Sequence, residues 1–204
     1  MKTQYVKFLS KPIVNKIEYP RDRNERIGSA VKEKKIAQTS VRLMQGDITT
    51  CSVDAVINVS GKTLIPFDLD EQPEIIPALA DLQPGETPVI ENTREVLKAE
   101  QVIHAPTVDT TATAGAMKIR KSIRAILEQA QQEKLTSLAL PPIGSGVNRY
   151  PLERCAEILL EELYKSVSQP QNSIQKVIFV LQSQKSYRIF EQVLEQFEEE
   201  HEIV

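Results

Sequence analysis

Short apolar runs alternate along this chain with longer stretches of helical period, and that alternation limits the possible folds more than any other feature. SVRLMQGD (40–47) reads as a short strand running into a Gly-Asp turn, and DAVINVS (54–60), apolar and β-branched, as a buried strand. EQPEIIPALADLQPG (71–85) is expected to contain a short helix that closes at Pro84-Gly85, and TPVIENT (87–93) and EQVIHAPTV (100–108) are strand candidates. GAMKIRKSIRAILEQAQQEKL (115–135) places Ile119, Ile123, Ile126, Leu127 and Ala130 on one helical face. SLAL (137–140) follows as a strand. PLERCAEILLEELYKSV (151–167) is a helix with proline in its first turn, where a missing N–H costs little. KVIFVLQ (176–182) is a buried strand, and YRIFEQVLEQFEEE (187–200) closes the chain as an amphipathic helix. Such alternation predicts a mixed, mostly parallel sheet with helices on both faces.

Composition narrows the class. The 204 residues suit one domain, or one domain with an appendage, and an apolar fraction of 41% is enough for a sizeable core. With no Trp and only five Phe and five Tyr, that core is aliphatic. The opening MKTQYVKFLSKP lacks an apolar export core. Cys51 and Cys155 are too few for a disulfide framework, so two reduced thiols in a cytoplasmic protein are expected. Cys155 shares a helical face with Ile158, Leu159 and Leu163, a core position. There is no HExxH, no paired-cysteine spacing and no Walker lysine, so neither metal nor cofactor is expected.

Charge is unevenly spread. Residues 1–39 hold ten Lys/Arg against four Asp/Glu, a net of +6, which leaves −9 for residues 40–204 out of a total of −3. The first 39 residues therefore read as a basic arm or accessory edge elements ahead of a domain over 40–204. They are expected to contact the acidic body of the chain or an acidic partner, with nucleic acid as the alternative. The closing QFEEEHEIV reads as a solvated acidic terminus.

The chemistry concentrates where strands end. In SLALPPIGSGVNRYPL (137–152), an apolar run stops at two prolines, and Gly-Ser-Gly then precedes a helix. Without Cβ atoms such a loop can turn its amides inward and cradle a phosphate, although Gly-X-Gly is also an ordinary turn. Asp47, in GDIT, stands just past another strand. Its carboxylate can accept from an exocyclic amine or cap the following turn. Asp68 and Asp70 in FDLDE form a possible carboxylate pair, or a solvated turn and helix cap.

VRLMQGDIT, VDAVINVSG, ETPVIENT, EQVIHAPTV, LPPIGSGVNRYPLE and KVIFVL, in that order, resemble the macrodomain family over residues 40 to 200. The resemblance implies a three-layer α/β/α sandwich that binds ADP-ribose, or a related adenine nucleotide diphosphate, at its strand ends. It implies that Asp47 meets the adenine amine, with the backbone of Ile48 beside it. Gly144, Ser145, Gly146, Val147 and Asn148 would wrap the diphosphate, and Asn58 is the first Asn of the family's N-x-x-N strand end. His104, in VIHAP, matches a common family histidine and reads as packed core.

The departures from the family bear on activity. The second Asn of N-x-x-N is Gly61 here, and the segment that follows, KTLIPFDLDEQPE (62–74), contains no glycine. Gln182 stands where many members stack an aromatic on adenine, and Asn148 where the phosphate loop often carries an aromatic. The expectation is a binder of ADP-ribose or an ADP-ribosylated macromolecule without efficient hydrolysis. The alternatives are an ADP-ribosyl hydrolase or O-acetyl-ADP-ribose deacetylase with Asp68 or Asp70 as a non-standard base, and a protein-interaction module with a dead pocket.

Overall fold

The structure, a computed structural model, describes residues 32–59, 87, 89–91, 97–105, 112–144 and 150–201. The expected helix within 71–85 lies outside the described residues. The strands are β1 (Lys32–Ile36), β2 (Thr39–Gln45), β3 (Ala55–Val59), β4 (Val89–Glu91), β5 (Gln101–Ala105), β6 (Ser137–Leu140) and β7 (Lys176–Leu181). The long helices are α1 (Ala112–Gln132), α2 (Leu152–Val167) and α3 (Gln184–His201). The strands form one sheet in the order β1-β2-β7-β6-β3-β5-β4. β2, β7, β6, β3 and β5 are mutually parallel, and β1 and β4 close the two edges antiparallel.

Strand alternation sorts the side chains into two cores. Val41, Leu43, Ala55, Ile57, Ile103, Ala105, Leu138, Leu140, Val177, Phe179 and Leu181 pack with the three long helices. Their neighbours Val56, Val102, Ala139, Ile178 and Val180 point the other way, onto Ile48, Cys51, Val53, Leu97 and Ala99. The five α1 residues read from the helical period, Ile119, Ile123, Ile126, Leu127 and Ala130, are all buried, as is Cys155 on α2. α3 seats Phe190 against Phe179 of β7 (centroids 5.5 Å apart) and Phe197 edge-on to Tyr164 of α2 (5.9 Å).

Local chemistry sets the helix ends. α3 starts at Gln184, three residues before the amphipathic pattern begins. The reason is a reciprocal cap, in which Ser186 N donates to Ser183 Oγ (3.1 Å) and Ser183 N to Ser186 Oγ (3.2 Å). α1 ends with Leu135 N donating to Ala130 O (2.9 Å) and Lys134 N to Gln131 O (3.0 Å), a Schellman closure with Lys134 at φ 55°. Pro151 is the N-cap of α2, at φ −54°, and leaves the first helical position to Leu152.

The acidic last helix is not simply solvated. Lys32 on β1 pairs with Glu195 and, at 3.7 Å, with Glu191, while Lys34 meets Glu198 at 2.9 Å. Part of the basic N-terminal stretch thus neutralises part of the acidic C-terminal one within the molecule. A second cluster joins α1 to α2. The Glu162 side chain, 1% exposed, accepts from Arg120 (2.7 Å), Arg124 and Lys165 (3.0 Å).

Candidate functional site

Because β2, β7, β6, β3 and β5 run parallel, their carboxyl ends share one edge of the sheet, the usual ligand edge of an open α/β fold. Across that edge the order is Asp47 after β2, Gln182 after β7, Gly144 after β6, Asn58 on β3 and His104 on β5. At about 4.8 Å per strand, Asp47 and Asn58 stand on strands roughly 14 Å apart, with the glycine loop between them.

Asp47 is exposed and caps a single 3-10 turn, Ile48–Thr50. Its Oδ1 accepts from Thr49 N at 2.9 Å, and its carbonyl accepts from Thr50 N (3.2 Å) and Thr50 Oγ1 (2.7 Å). The capping role is therefore realised. Among the described residues no hydrogen bond reaches Oδ2, so one acceptor remains for a ligand. Ile48 is buried and anchors the turn on the second core. Gly46 N donates to Leu181 O (3.1 Å), which ties the Asp47 turn to the end of β7, where Gln182 is exposed.

Gly144 must be glycine for two reasons. Its φ is +89°, and a Cβ there would lie 2.4 Å from Ile119 Cδ1 and 2.6 Å from Ile119 Cγ1. The loop's first residue is thus pressed onto α1, with Cys155 of α2 beneath it. The remaining loop residues assigned by resemblance, Ser145, Gly146, Val147 and Asn148, lie outside the described residues, as do Gly61, Asp68 and Asp70.

Asn58 is buried, and its Nδ2 lies 3.3 Å from Nδ1 of His104, its partner in the β3–β5 register. Burial pushes the His104 imidazole down to about 4, so it is neutral at pH 7. The reading of His104 as packed is correct, but packing alone misses its bond to Asn58. Only the register could have shown that, since 46 residues separate the two. Burial raises the thiols of Cys51 to about 11 and of Cys155 to about 12, so neither is a thiolate nucleophile at neutral pH. Among the described residues no three His, Cys, Asp or Glu side chains group as metal ligands, and no helix is long and apolar enough to cross a membrane.

A mixed, mostly parallel sheet with an acid, a glycine at positive φ and an amide along its carboxyl edge is the ligand-edge arrangement of an open α/β fold. The Macro domain family model matches residues 68–159. A protein of Sulfolobus acidocaldarius is 30% identical over 171 residues, covering 76% of this chain and 90% of its own length. ADP-ribose glycohydrolase MACROD1 of Rattus norvegicus is 25% identical over 197 residues, covering 91% of this chain and 72% of its own. A mutant of the Oceanobacillus iheyensis macrodomain with ADPR superposes with a TM-score of 0.70 at 23% identity, covering 83% of this chain and 100% of that one. The chain belongs to the macrodomain family, and its fold is the three-layer α/β/α sandwich of that family.

Proposed function

We propose that this chain binds ADP-ribose, or a related adenine nucleotide diphosphate, across the carboxyl edge of its sheet. One observation carries the reading. The spatial order acid, glycine loop, amide matches the chemical order base, diphosphate, sugar. Asp47 Oδ2 would accept the adenine amine, and the amides of the 144–148 loop would take the phosphates. Asn58 would meet the second ribose. The complex of the Oceanobacillus iheyensis protein with ADPR supports this choice of ligand. The absence of an aromatic at Gln182 removes a stack of about 1–3 kcal/mol, so affinity is expected to be modest. Titration calorimetry with ADP-ribose, ADP and AMP tests the reading. Heat that falls in that order supports it, and no heat with any of them at millimolar ligand overturns it in favour of a protein-interaction module with a closed pocket.

Hydrolysis is the second reading, favoured by the name of the MACROD1 relative. Cleavage needs the distal ribose held against its attacking group, and such orientation supplies several kcal/mol of barrier lowering. Gly61 and the glycine-free 62–74 segment replace the groups that the family resemblance assigns to that task. We therefore expect binding without efficient turnover. Release of ADP-ribose from a modified protein, or deacetylation of O-acetyl-ADP-ribose, that is lost on changing Asp68 or Asp70 would reverse this and identify the base. For the basic segment, the pairing of Lys32 and Lys34 with α3 supports an intramolecular role. An acidic partner for the basic segment 1–39 is a separate proposal, tested by whether a mobility-shift or pull-down signal falls as salt rises.

A further inference from the structure

Asn58 is 6% exposed, yet among the described residues its Oδ1 has no hydrogen-bond partner. Buried amide oxygens rarely go unpaired without a use. On one side of Asn58 stands His104, itself 1% exposed, with Nδ1 3.3 Å from Asn58 Nδ2. An amide NH2 can only donate. In a neutral imidazole one nitrogen donates and the other accepts, so this contact requires Nδ1 to accept and the proton to sit on Nε2. On the other side runs β6, paired through Ala55 with Leu138 and Val56 with Ala139. Extending that register by two residues sets Asn58 abreast of Pro141, on the same face, with Pro142 next. Proline has no N–H, so neither residue can donate to Oδ1 from its backbone.

We propose that His104 is a positioning residue for the ligand: by accepting at Nδ1 it turns the Asn58 carboxamide so that Oδ1 stays an open acceptor for a sugar hydroxyl of the bound nucleotide, and Pro141-Pro142 withholds the backbone donors that would otherwise fill it. The opposite tautomer would reverse the amide and present a donor, which suits a phosphate or carbonyl instead. The ligand half of the proposal rests on the binding reading above, whereas the orientation half does not.

Two measurements test it. Long-range proton–nitrogen correlation spectra of the full chain report the tautomer without ligand. With two histidines, His104 and His201, a His104→Asn chain assigns the signals. An Nε2–H ring at His104 is expected, and an Nδ1–H ring overturns the proposal. Calorimetry with ADP-ribose then compares His104→Phe, which keeps bulk but removes the acceptor, with His104→Asn, which keeps an acceptor near the Nδ1 position. About tenfold weaker binding for the first, and binding within about threefold of the parent for the second, are expected. Parent-like binding by His104→Phe overturns the proposal, as does equal weakening of both variants while thermal melts show both folded. If His104→Phe does not fold, His104→Leu takes its place. A parent chain that gives no heat overturns the ligand half together with the binding reading, and the tautomer measurement then decides the orientation half alone.

Discussion

At the scale of single residues, Asp47 and Gly144 are the informative positions. Asp47 spends Oδ1 on the cap to Thr49 and leaves Oδ2 outward. Asp47→Asn keeps the cap through its own Oδ1 but turns the outward acceptor into an NH2 donor. Its expected effect is about a tenfold loss of affinity for ADP-ribose and a gain for the hypoxanthine analogue, whose ring carbonyl accepts where adenine donates. Paired calorimetric titrations check this, and unchanged preference would mean that Asp47 acts only as a cap. Gly144→Ala meets both a positive φ and a Cβ position 2.4 Å from Ile119 Cδ1. A loss of about 2–4 kcal/mol in denaturant unfolding is expected, with weaker diphosphate binding in the fraction that folds.

At the scale of elements, the α1–α2 clamp and the α1 terminus are the informative places. Glu162 is nearly fully buried, while Arg124 and Lys165 are each 56% exposed at the side chain. Removing the carboxylate lets those cations return to water, so Glu162→Gln should cost about 1–3 kcal/mol. Removing Arg120 and Arg124 together leaves the buried carboxylate with only the half-exposed Lys165 as a cationic partner and should cost more, about 3–5 kcal/mol. Urea unfolding of the two variants tests that asymmetry. Lys134 holds the left-handed position that ends α1, where glycine carries no Cβ penalty. Lys134→Gly is therefore expected to raise stability by up to about 1 kcal/mol, read as a higher unfolding midpoint. The pairs between β1 and α3 are partly exposed and should contribute less than about 1 kcal/mol each, a contribution that falls with added salt.

For the molecule as a whole, buried titratable groups set the acid limit. Burial alone would raise the Glu162 carboxyl, but the bonds from Arg124, Lys165 and Arg120 outweigh it and hold it at about 2. Asp54 is also held below its ordinary value, because hydrogen bonds from Thr136 and Ser137 outweigh its burial. Both carboxylates stabilise the fold fully above the ordinary carboxylate range, and that contribution is lost as pH falls through their depressed native values. His104 acts earlier. The unfolded chain takes up a proton near 6.5 that the buried native ring refuses until about 4, so stability falls over that interval as pH drops. Denaturant midpoints measured from pH 7 to pH 2 should therefore decline in two stretches. His104→Asn should flatten the upper stretch and Glu162→Gln the lower, and a single unbroken decline in both variants would contradict these assignments.

Much of this was readable from the chain alone. The strand runs, the buried face of α1 and the Asp47 cap depend on periodicity and on neighbours within a few residues, which sequence order preserves. GDIT, VIHAP and LPPIGSGVNRYPLE also carry the family resemblance, because a capped turn or a glycine at positive φ directly after a strand restricts residue types locally. Tertiary structure decided what depends on register and packing. The pairing of Asn58 with His104 exists because β3 and β5 align residue for residue, and the steric need for Gly144 because Ile119 of α1 crosses beneath the loop. The pairing of Lys32 with Glu191 and Glu195, and of Lys34 with Glu198, follows from α3 lying beside β1. Each joins residues far apart along the chain, so no local pattern records it. Only the folded sheet brings the partners within bonding distance.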